Sequence, residues 1–579
     1  MAGLTGVVGL AALGGVAARD DKPTSDRVSD AQSSTNQQNV SDAGGADENA
    51  DGAKESTGQD DEWSGDDWSG FEDRSGKDDK GDDKGRDKGD DKGDDKDRGK
   101  QVPCDTDKLI QEITFANNRD GGVLELAKGC TYNLTRNDYE GNGLPVITER
   151  ITLKGEHTTI GRDATAAYFR ILNVGPGGHL TLKGLSIKGG QTIQRAMSVE
   201  AATVWAPYSP SVRTTAADQP AKPAATAAAK PGAAAKPAAA AAKPAAAASK
   251  PAAATKAKPT AKPATTAAKP AAAPAKPAAA GPAAVPLVEE PGFNDGAGVL
   301  VQPGGRAEIL DSELLYNQSG GNGGGLANFG TTKLSKTTVA HNTAFFFGGG
   351  IFNAGVLQVD ESKVKDNNAI IGGGGIANGA AEIFTDDVDG GSVWVYKSEV
   401  SDNRTLGFGG GVLDVEGTTT LHETTVRNNT ALLAGGGVAV ADSQLTLKHA
   451  TVAGNSTAGV GGGLAVAFDS TATVENSAIK DNTAGFFGAG LFNEDSVTTL
   501  RDSEVVGNRA VGPFARGGGI FNTEGGEVTL HRTKVAHNFS TLPPGGIFNS
   551  LGGTVTLDDK SAVTANRPTN CFNVPDCFA

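Results

Sequence analysis

The sequence predicts an all-β protein: a right-handed parallel β-helix solenoid with three short strands per coil, interrupted by a disordered Ala/Lys/Pro-rich insertion and preceded by a disordered acidic tail. Three observations lead there. A formula recurs along the chain: an aliphatic residue, a small hydroxyl three places on, an aliphatic two after that, and Asn three further, as in Leu334-Thr337-Val339-Asn342 and Val359-Ser362-Val364-Asn367. Glycine clusters follow these asparagines, usually six residues on, as at positions 348, 373, 435 and 461, so that the unit is about 25 to 29 residues long. Within a unit the strand signals are short and of period two, as in Leu445-Thr446-Leu447 and Val528-Thr529-Leu530, and no unit holds a run long enough for a stable helix. A unit of this size cannot bury its apolar face alone and must stack on its neighbours.

Taken in order, the chain begins with an apolar small-residue run at 3–17, ending in Ala17-Ala18, which resembles a signal-peptide hydrophobic region and cleavage site. No basic stretch precedes it, which places the true start upstream and makes 1–18 a signal remnant. Residues 19–101 form an acidic Gly/Asp/Lys-rich tail that cannot bury enough apolar surface to offset its chain entropy. Its Asp pairs, such as Asp82-Asp83, offer a divalent cation no fixed geometry. The folded part begins near Val102, with a short amphipathic helix from Cys104 through Ile113 as an N-terminal cap and the first coils up to 190. Strand signals stand at 121–126, 144–147, 151–153 and 169–172, and Gly190 takes the asparagine place of the repeat formula.

Residues 191–291 interrupt the solenoid. Ten lysines from Lys222 to Lys276 sit among Ala and Pro, and proline recurs too often for a helix to persist. This is read as an excursion from one corner, and its lysines suit a polyanion. The main repeats run over 292–570, with a C-terminal cap at 571–579. Only Phe578-Ala579 follow Cys577, so no C-terminal sorting signal is expected. No run of about 18 apolar residues predicts a membrane span. Four cysteines, Cys104, Cys130, Cys571 and Cys577, lack the spacing of a zinc site. Three pairings are open to them, and their placement at the two ends suits local disulfides and an oxidising compartment.

The repeating asparagines are Asn317, Asn342, Asn367, Asn403, Asn429, Asn455, Asn482, Asn508, Asn538 and Asn566. Buried at one place in successive coils, their amides can bond to the coils above and below, a ladder that needs no ligand. Asn353, Asn493, Asn522 and Asn549 read as a second, less complete ladder. The corner between asparagine and glycine carries Phe345, Phe346, Phe347, Phe408, Phe486, Phe487 and Phe514. Stacked at about 4.8 Å per coil, these form one apolar strip. The expectation is that they fold inward; the other reading is a contact surface for a partner or glycan.

The glycine clusters followed by Ile, Val or Leu, with aliphatic-x-x-Asn in every unit, resemble the repeats of secreted bacterial β-helix proteins of the pectin-lyase-like superfamily, in particular polymorphic outer-membrane protein repeats. The Phe of the F-x-x-N motif is replaced, as in Val452-Ala453-Gly454-Asn455, a departure that points to actinobacterial-type secreted relatives. The resemblance covers 102–190 and 292–579. It implies comparison with enzymes that cut acidic polysaccharides, whose hydrolases carry Asp-x-Asp, Asp-Asp and Gly-His-Gly and whose lyases carry acidic calcium ligands and an Arg. Asp386-Asp387 and Asp387-Val388-Asp389 occur here without any Gly-His-Gly. Arg501, Asp502 and Arg532 read as a solvated face, and the seven histidines are scattered.

The expected protein is therefore secreted or cell-surface, with a structural, adhesion or ligand-binding role and no catalytic residue, cofactor or metal. The alternative is a polysaccharide lyase or hydrolase. Expected partners are cell-wall or extracellular polysaccharide or another surface protein, not nucleic acid, and the chain is expected to be monomeric.

Overall fold

The computed structural model describes residues 99–192, 291–380 and 388–578. The expected signal remnant, the acidic tail up to 98, the insertion between 193 and 290, and Asp386 and Asp387 lie outside these residues. Within them the chain is a parallel β-solenoid of about 14 turns with almost no helix.

One coil shows how the sequence makes a turn. Strand Thr331–Ser335 points Thr332 and Leu334 inward and Thr331, Lys333 and Ser335 outward, the period-two alternation of a strand with one face on a core. Lys336 bends the chain in the left-handed conformation (φ 50°), after which Thr338–Ala340 resumes it. Thr343–Ala344 adds a two-residue pairing, and Ile351–Asn353 closes the coil beyond the glycines. Each strand pairs in parallel with its counterpart in the next coil: Leu334 with Val359, Val339 with Val364, Ile351 with Ile376. The strands collect into sheets of 25, 12 and 9 members; the largest takes two strands from most coils and is the broadest surface among the described residues.

The glycine cluster is required by close approach. Gly435 has φ 63°, and a Cβ there would lie 2.5 Å from Ala439 Cβ. A Cβ on Gly437 would meet Gly463 O at 2.7 Å and the Asn455 amide nitrogen at 2.9 Å, so alanine fits at neither place.

Two large apolar cores result, beside a small cluster of Ala484, Ala489, Ala510 and Ala515. The first fills the lumen with Ile309, Leu334, Val359, Val395, Leu421, Leu447 and their equivalents, all fully buried. The second lies on the other side of the 12-stranded sheet, where Leu300, Phe352, Leu413, Phe492 and Phe521 are covered by corner residues such as Phe347, Phe408 and Phe487. That sheet is thus buried on both faces, which is why Ile351-Phe352-Asn353 shows no exposed position.

The first coil is covered by helix Thr106–Asn117, N-capped by Asp105, whose carboxylate accepts from the Asp107 and Lys108 N–H groups. Leu109, Ile113 and Ala116 are its buried face. Strand Lys100–Val102 pairs with Leu124–Leu126, so regular structure starts slightly before Val102. Cys104–Cys130 and Cys571–Cys577 are disulfide-bonded, one at each end of the described coils. The strand expected at 144–147 is reduced to a single bridge, Ile147 to Val174.

Gln191 and Thr192, placed in the insertion by the sequence reading, belong to the solenoid: Gln191 bridges to Gln318, and the Thr192 hydroxyl donates to Asn294 O at 2.6 Å. The chain therefore leaves and re-enters at adjacent points of one corner.

Candidate functional site

The asparagines form a ladder that uses every hydrogen-bonding position of each amide. The Asn342 side chain donates to Asn367 Oδ1 (3.0 Å) and to Leu314 O (2.9 Å), while its own Oδ1 accepts from the Asn317 side chain and backbone N–H (both 3.0 Å). The same pattern runs through Asn429, Asn455 and Asn482. It starts at Gly190, whose N–H donates to Asn317 Oδ1 (2.9 Å), and it ends where Asn566 donates to Asn570 Oδ1 (3.2 Å). Asn570 was not visible in the repeat formula, because it stands four residues from its partner rather than one unit away.

A hydroxyl ladder runs beside it: the Thr337 N–H donates to Ser362 Oγ and the Ser362 N–H to Ser398 Oγ, each at 3.0 Å. Ala450 has no hydroxyl to offer, yet its N–H still donates to Ser477 Oγ at 2.9 Å.

The second ladder has more members than expected. Asn328 donates to Asn353 Oδ1, Asn353 to Asn378 Oδ1 and Asn378 to Asp414 Oδ1, at 2.7 to 2.8 Å. Val440 and Val466 then hold the place, and the ladder resumes through Asn493, Asn522 and Asn549. Asp414 ends the first stretch fully buried beside Asn378, Thr419 and Ser443, and burial pushes its carboxyl up to about 7.

The phenylalanine corner is not one strip. Phe347, Phe408 and Phe487 are buried, but against the outer side of the 12-stranded sheet and not in the lumen. Phe345 and Phe346 are half-buried, and Phe486 and Phe514 are exposed. The reason is local: the residue just before the first glycine is folded back by the positive-φ turn over the next strand, while those ahead of it are left on the rim.

What distinguishes one part of the surface is the outer face of the broad sheet. In strand Ser392–Tyr396, Val393 and Val395 point into the lumen, so Trp394 and Tyr396 stand side by side on the outside. Register places Trp394 between Gln358 and Thr420, and Tyr396 between Asp360 and His422. Beyond Thr420 the Trp394 row continues as threonine: Thr446, Thr473, Thr499 and Thr529.

His422 gathers the aromatic groups. Its ring lies 5.2 Å from Tyr396, 6.4 Å and edge-on from Trp394, and 5.9 Å from His449 in the next coil. Lys397 sits 4.8 Å over the Tyr396 ring. Burial, more than the neighbouring charges, pushes the His422 imidazole down, so it is neutral at pH 7 and offers one donor and one acceptor. On the other side, Gln358 donates to Asp360 at 2.8 Å and Lys333 lies 3.7 Å from the same carboxylate, whose pKa burial raises. The patch thus combines two ring faces with polar groups on both sides. Sequence reading left these histidines scattered because 26 to 27 residues separate His422 from Tyr396 and from His449; the unit length was the signal that stacks them.

A second aromatic pair, Tyr316 stacked on His341 at 4.9 Å, lies at a neighbouring bend. Arg532 makes two short bonds to Asp502 (2.5 and 2.6 Å) on an exposed surface. Asp389 is exposed. Among the described residues no three carboxylate, imidazole or thiol groups are gathered as a metal site, and no helix is long and apolar enough to cross a membrane.

No family model matches the chain, and no curated protein matches it. Among solved structures, the A-module of the mannuronan C-5 epimerase of Azotobacter vinelandii is similar at 10% identity, over 79% of this chain and 94% of that one, with a TM-score of 0.36. At that distance neither residues nor chemistry transfer from it.

Proposed function

We propose that this is a secreted or cell-surface β-solenoid that binds an extracellular polysaccharide on the outer face of its broad sheet and does not process it. The observation that carries the reading is the pair Trp394 and Tyr396, adjacent and outward, in a face whose other positions are mostly Thr, Lys and Glu. An aromatic face suits the apolar side of a sugar ring, and Gln358, Asp360 and His422 flank it with groups that can bond hydroxyls. Neighbouring coils repeat at about 4.8 Å, a spacing comparable to the advance of one pyranose unit, so successive coils can meet successive sugars. The two disulfides favour an oxidising compartment.

Of the acids whose pKa burial raises, Asp360 flanks the patch but is tied to Gln358 and Lys333, and Asp414 supports a non-catalytic role. Asp414 has a raised carboxyl of the kind a general acid needs, but it is fully buried within its own coil and out of reach of a substrate.

Incubating the full chain with neutral and uronate polysaccharides tests the proposal. Retention on at least one polymer is expected, without release of sugar ends. Release of unsaturated or reducing ends would replace it with the lyase or hydrolase reading.

A further inference from the structure

Between the ladder asparagine and the last glycine, each coil crosses the nine-stranded sheet and the phenylalanine corner beside it. In the eight coils from Asn342–Gly350 to Asn538–Gly546 this stretch contains Arg404, Arg509 and Arg516 and no Asp, Glu or Lys, in a chain of net charge −16. Shape does not account for that. The outward row of the nine-stranded sheet accepts hydroxyl, amide, guanidinium and phenyl groups, as at Thr343, Asn368, Arg404 and Phe539. Carboxylates also come close and stop: Asp366, Asp402 and Asp481 are exposed one residue before the ladder asparagine.

The rim of the same corner is apolar. Leu432, Phe486, Val511 and Phe514 stand on it within four successive coils, 44%, 39%, 47% and 66% exposed, and Ala458 fills the coil between the first two. Backbone pairing carries the rim from coil to coil: the Phe486 N–H donates to Gly459 O (2.9 Å) and the Val511 N–H to Ala484 O (3.0 Å). Phe345, Phe346, Ile370 and Leu406 continue it half-buried. An exposed apolar strip whose only charges are arginines fits a partner that joins aromatic groups to carboxylates.

One segment of this chain has that chemistry. Gln59–Asp73 holds seven carboxylates, Trp63, Trp68 and Phe71, and no cation, and it lies outside the described residues. No other aromatic residue occurs before Gly99. Phe71 stands 28 residues ahead of Gly99, where the described chain begins (99 − 71), which extended is a reach of about 90 Å. About eleven successive strand pairings lead from Lys100–Val102 to Val497–Arg501, whose coil carries Phe514, a span of about 53 Å. The segment can therefore lie along the whole exposed rim.

We propose that Gln59–Asp73 docks on the rim of its own chain, with its aromatic side chains against Leu432, Phe486 and Phe514 and its carboxylates beside Arg404 and Arg509. Tethering presents the segment at an effective concentration on the order of millimolar, above that of a second copy in dilute solution. Docked, it covers the apolar strip that would otherwise bring copies together.

Acrylamide quenching of tryptophan fluorescence in the full chain tests this. In a Trp205→Phe/Trp394→Phe background the signal comes from Trp63 and Trp68 alone. Quenching several-fold weaker than in a synthetic peptide of residues 55–76 is expected, at every protein concentration. High salt should raise it toward the peptide value, because exposed charges are screened. Phe486→Ser/Phe514→Ser should abolish the protection. So should Arg404→Gln/Arg509→Gln, which changes exposed side chains only, with a melting temperature equal to that of the parent. Quenching equal to that of the peptide would overturn the proposal. So would protection retained in full by either variant, which would put the segment elsewhere, and protection that appears only as the chain dimerises, which would give the rim to a second copy.

Discussion

Each strand of the broad sheet carries two rows, and they obey different rules. In the inward row every side chain stays buried from coil to coil, aliphatic throughout at one position and aliphatic or threonine at the other: Val393 and Val395 follow Leu357 and Val359 and precede Thr419 and Leu421. In the outward row Gln358 and Asp360 give way to Trp394 and Tyr396, then to Thr420 and His422. The inward row is held to side chains that fit the lumen, because each packs on its own equivalent one coil away and any change is felt by two neighbours. The outward row is under no such rule, so a local gathering of aromatic and imidazole groups there reports selection for something other than the fold. The comparison predicts that inward changes cost stability, and that outward changes cost binding alone.

The largest effect should come from breaking the ladder. Asn455→Leu removes an acceptor for the Asn429 side chain and backbone N–H and a donor to Asn482 Oδ1 and Val426 O. Each buried group left unpaired costs about 1–3 kcal/mol. Asn476→Ser, at an exposed bend, should be nearly neutral; equal melting temperatures for the two would mean the ladder does not hold the coils together.

Next come the corner phenylalanines, which sit on both sides of the comparison. Phe408→Ser, in the second core, should cost about 3–5 kcal/mol by analogy with Phe→Ala in cores. Phe514→Ser, at a side chain 66% exposed, should change stability by no more than about 0.5 kcal/mol. Denaturant midpoints of the two variants check this, and a stable Phe408→Ser would return the corner to the contact-surface reading.

This division marks where sequence reading stops. Period and hydropathy made the solenoid, the first ladder and the ladder's start at Gly190 legible, because those positions recur at fixed spacing. The split of the phenylalanine corner was not legible, since Phe346 and Phe347 are adjacent and equally apolar, and only the fold of the glycine turn sends one under the sheet and leaves the other at its rim. Asn328, Asn378 and Asp414 escaped because the members read from sequence, Asn353, Asn493, Asn522 and Asn549, all follow an aliphatic-Phe pair, while these three follow Leu-Ala, Ile-Ala and Val-Leu. The Trp394 patch escaped for a different reason: it is a departure from the repeat, and a formula built on what recurs passes over it.

An effect whose sign is set by pH is expected at Asp414. Its folded pKa, about 7, lies above the about 3.9 of an unfolded Asp. The native state therefore holds the proton more firmly, and its contribution to stability is complete below about pH 4 and is lost as pH rises through 7. Asp414→Asn should remove that loss and leave the variant more stable than wild type at pH 8, with little difference at pH 4. Glu494 adds a fall of the same sign, so the quantity to compare is the slope of melting temperature against pH in the two proteins.

The smallest effect on stability and the largest on function should come from the outward row. Retention of the full chain on an array of polysaccharides, measured beside the Trp394→Ala/Tyr396→Ala variant and its melting temperature, tests the account most directly. The prediction is an affinity for the bound polymer that falls about tenfold or more, equivalent to about 1.4 kcal/mol, as two lost ring contacts imply, with the melting temperature unchanged. Equal retention by wild type and variant would contradict it and move the binding surface away from the broad sheet.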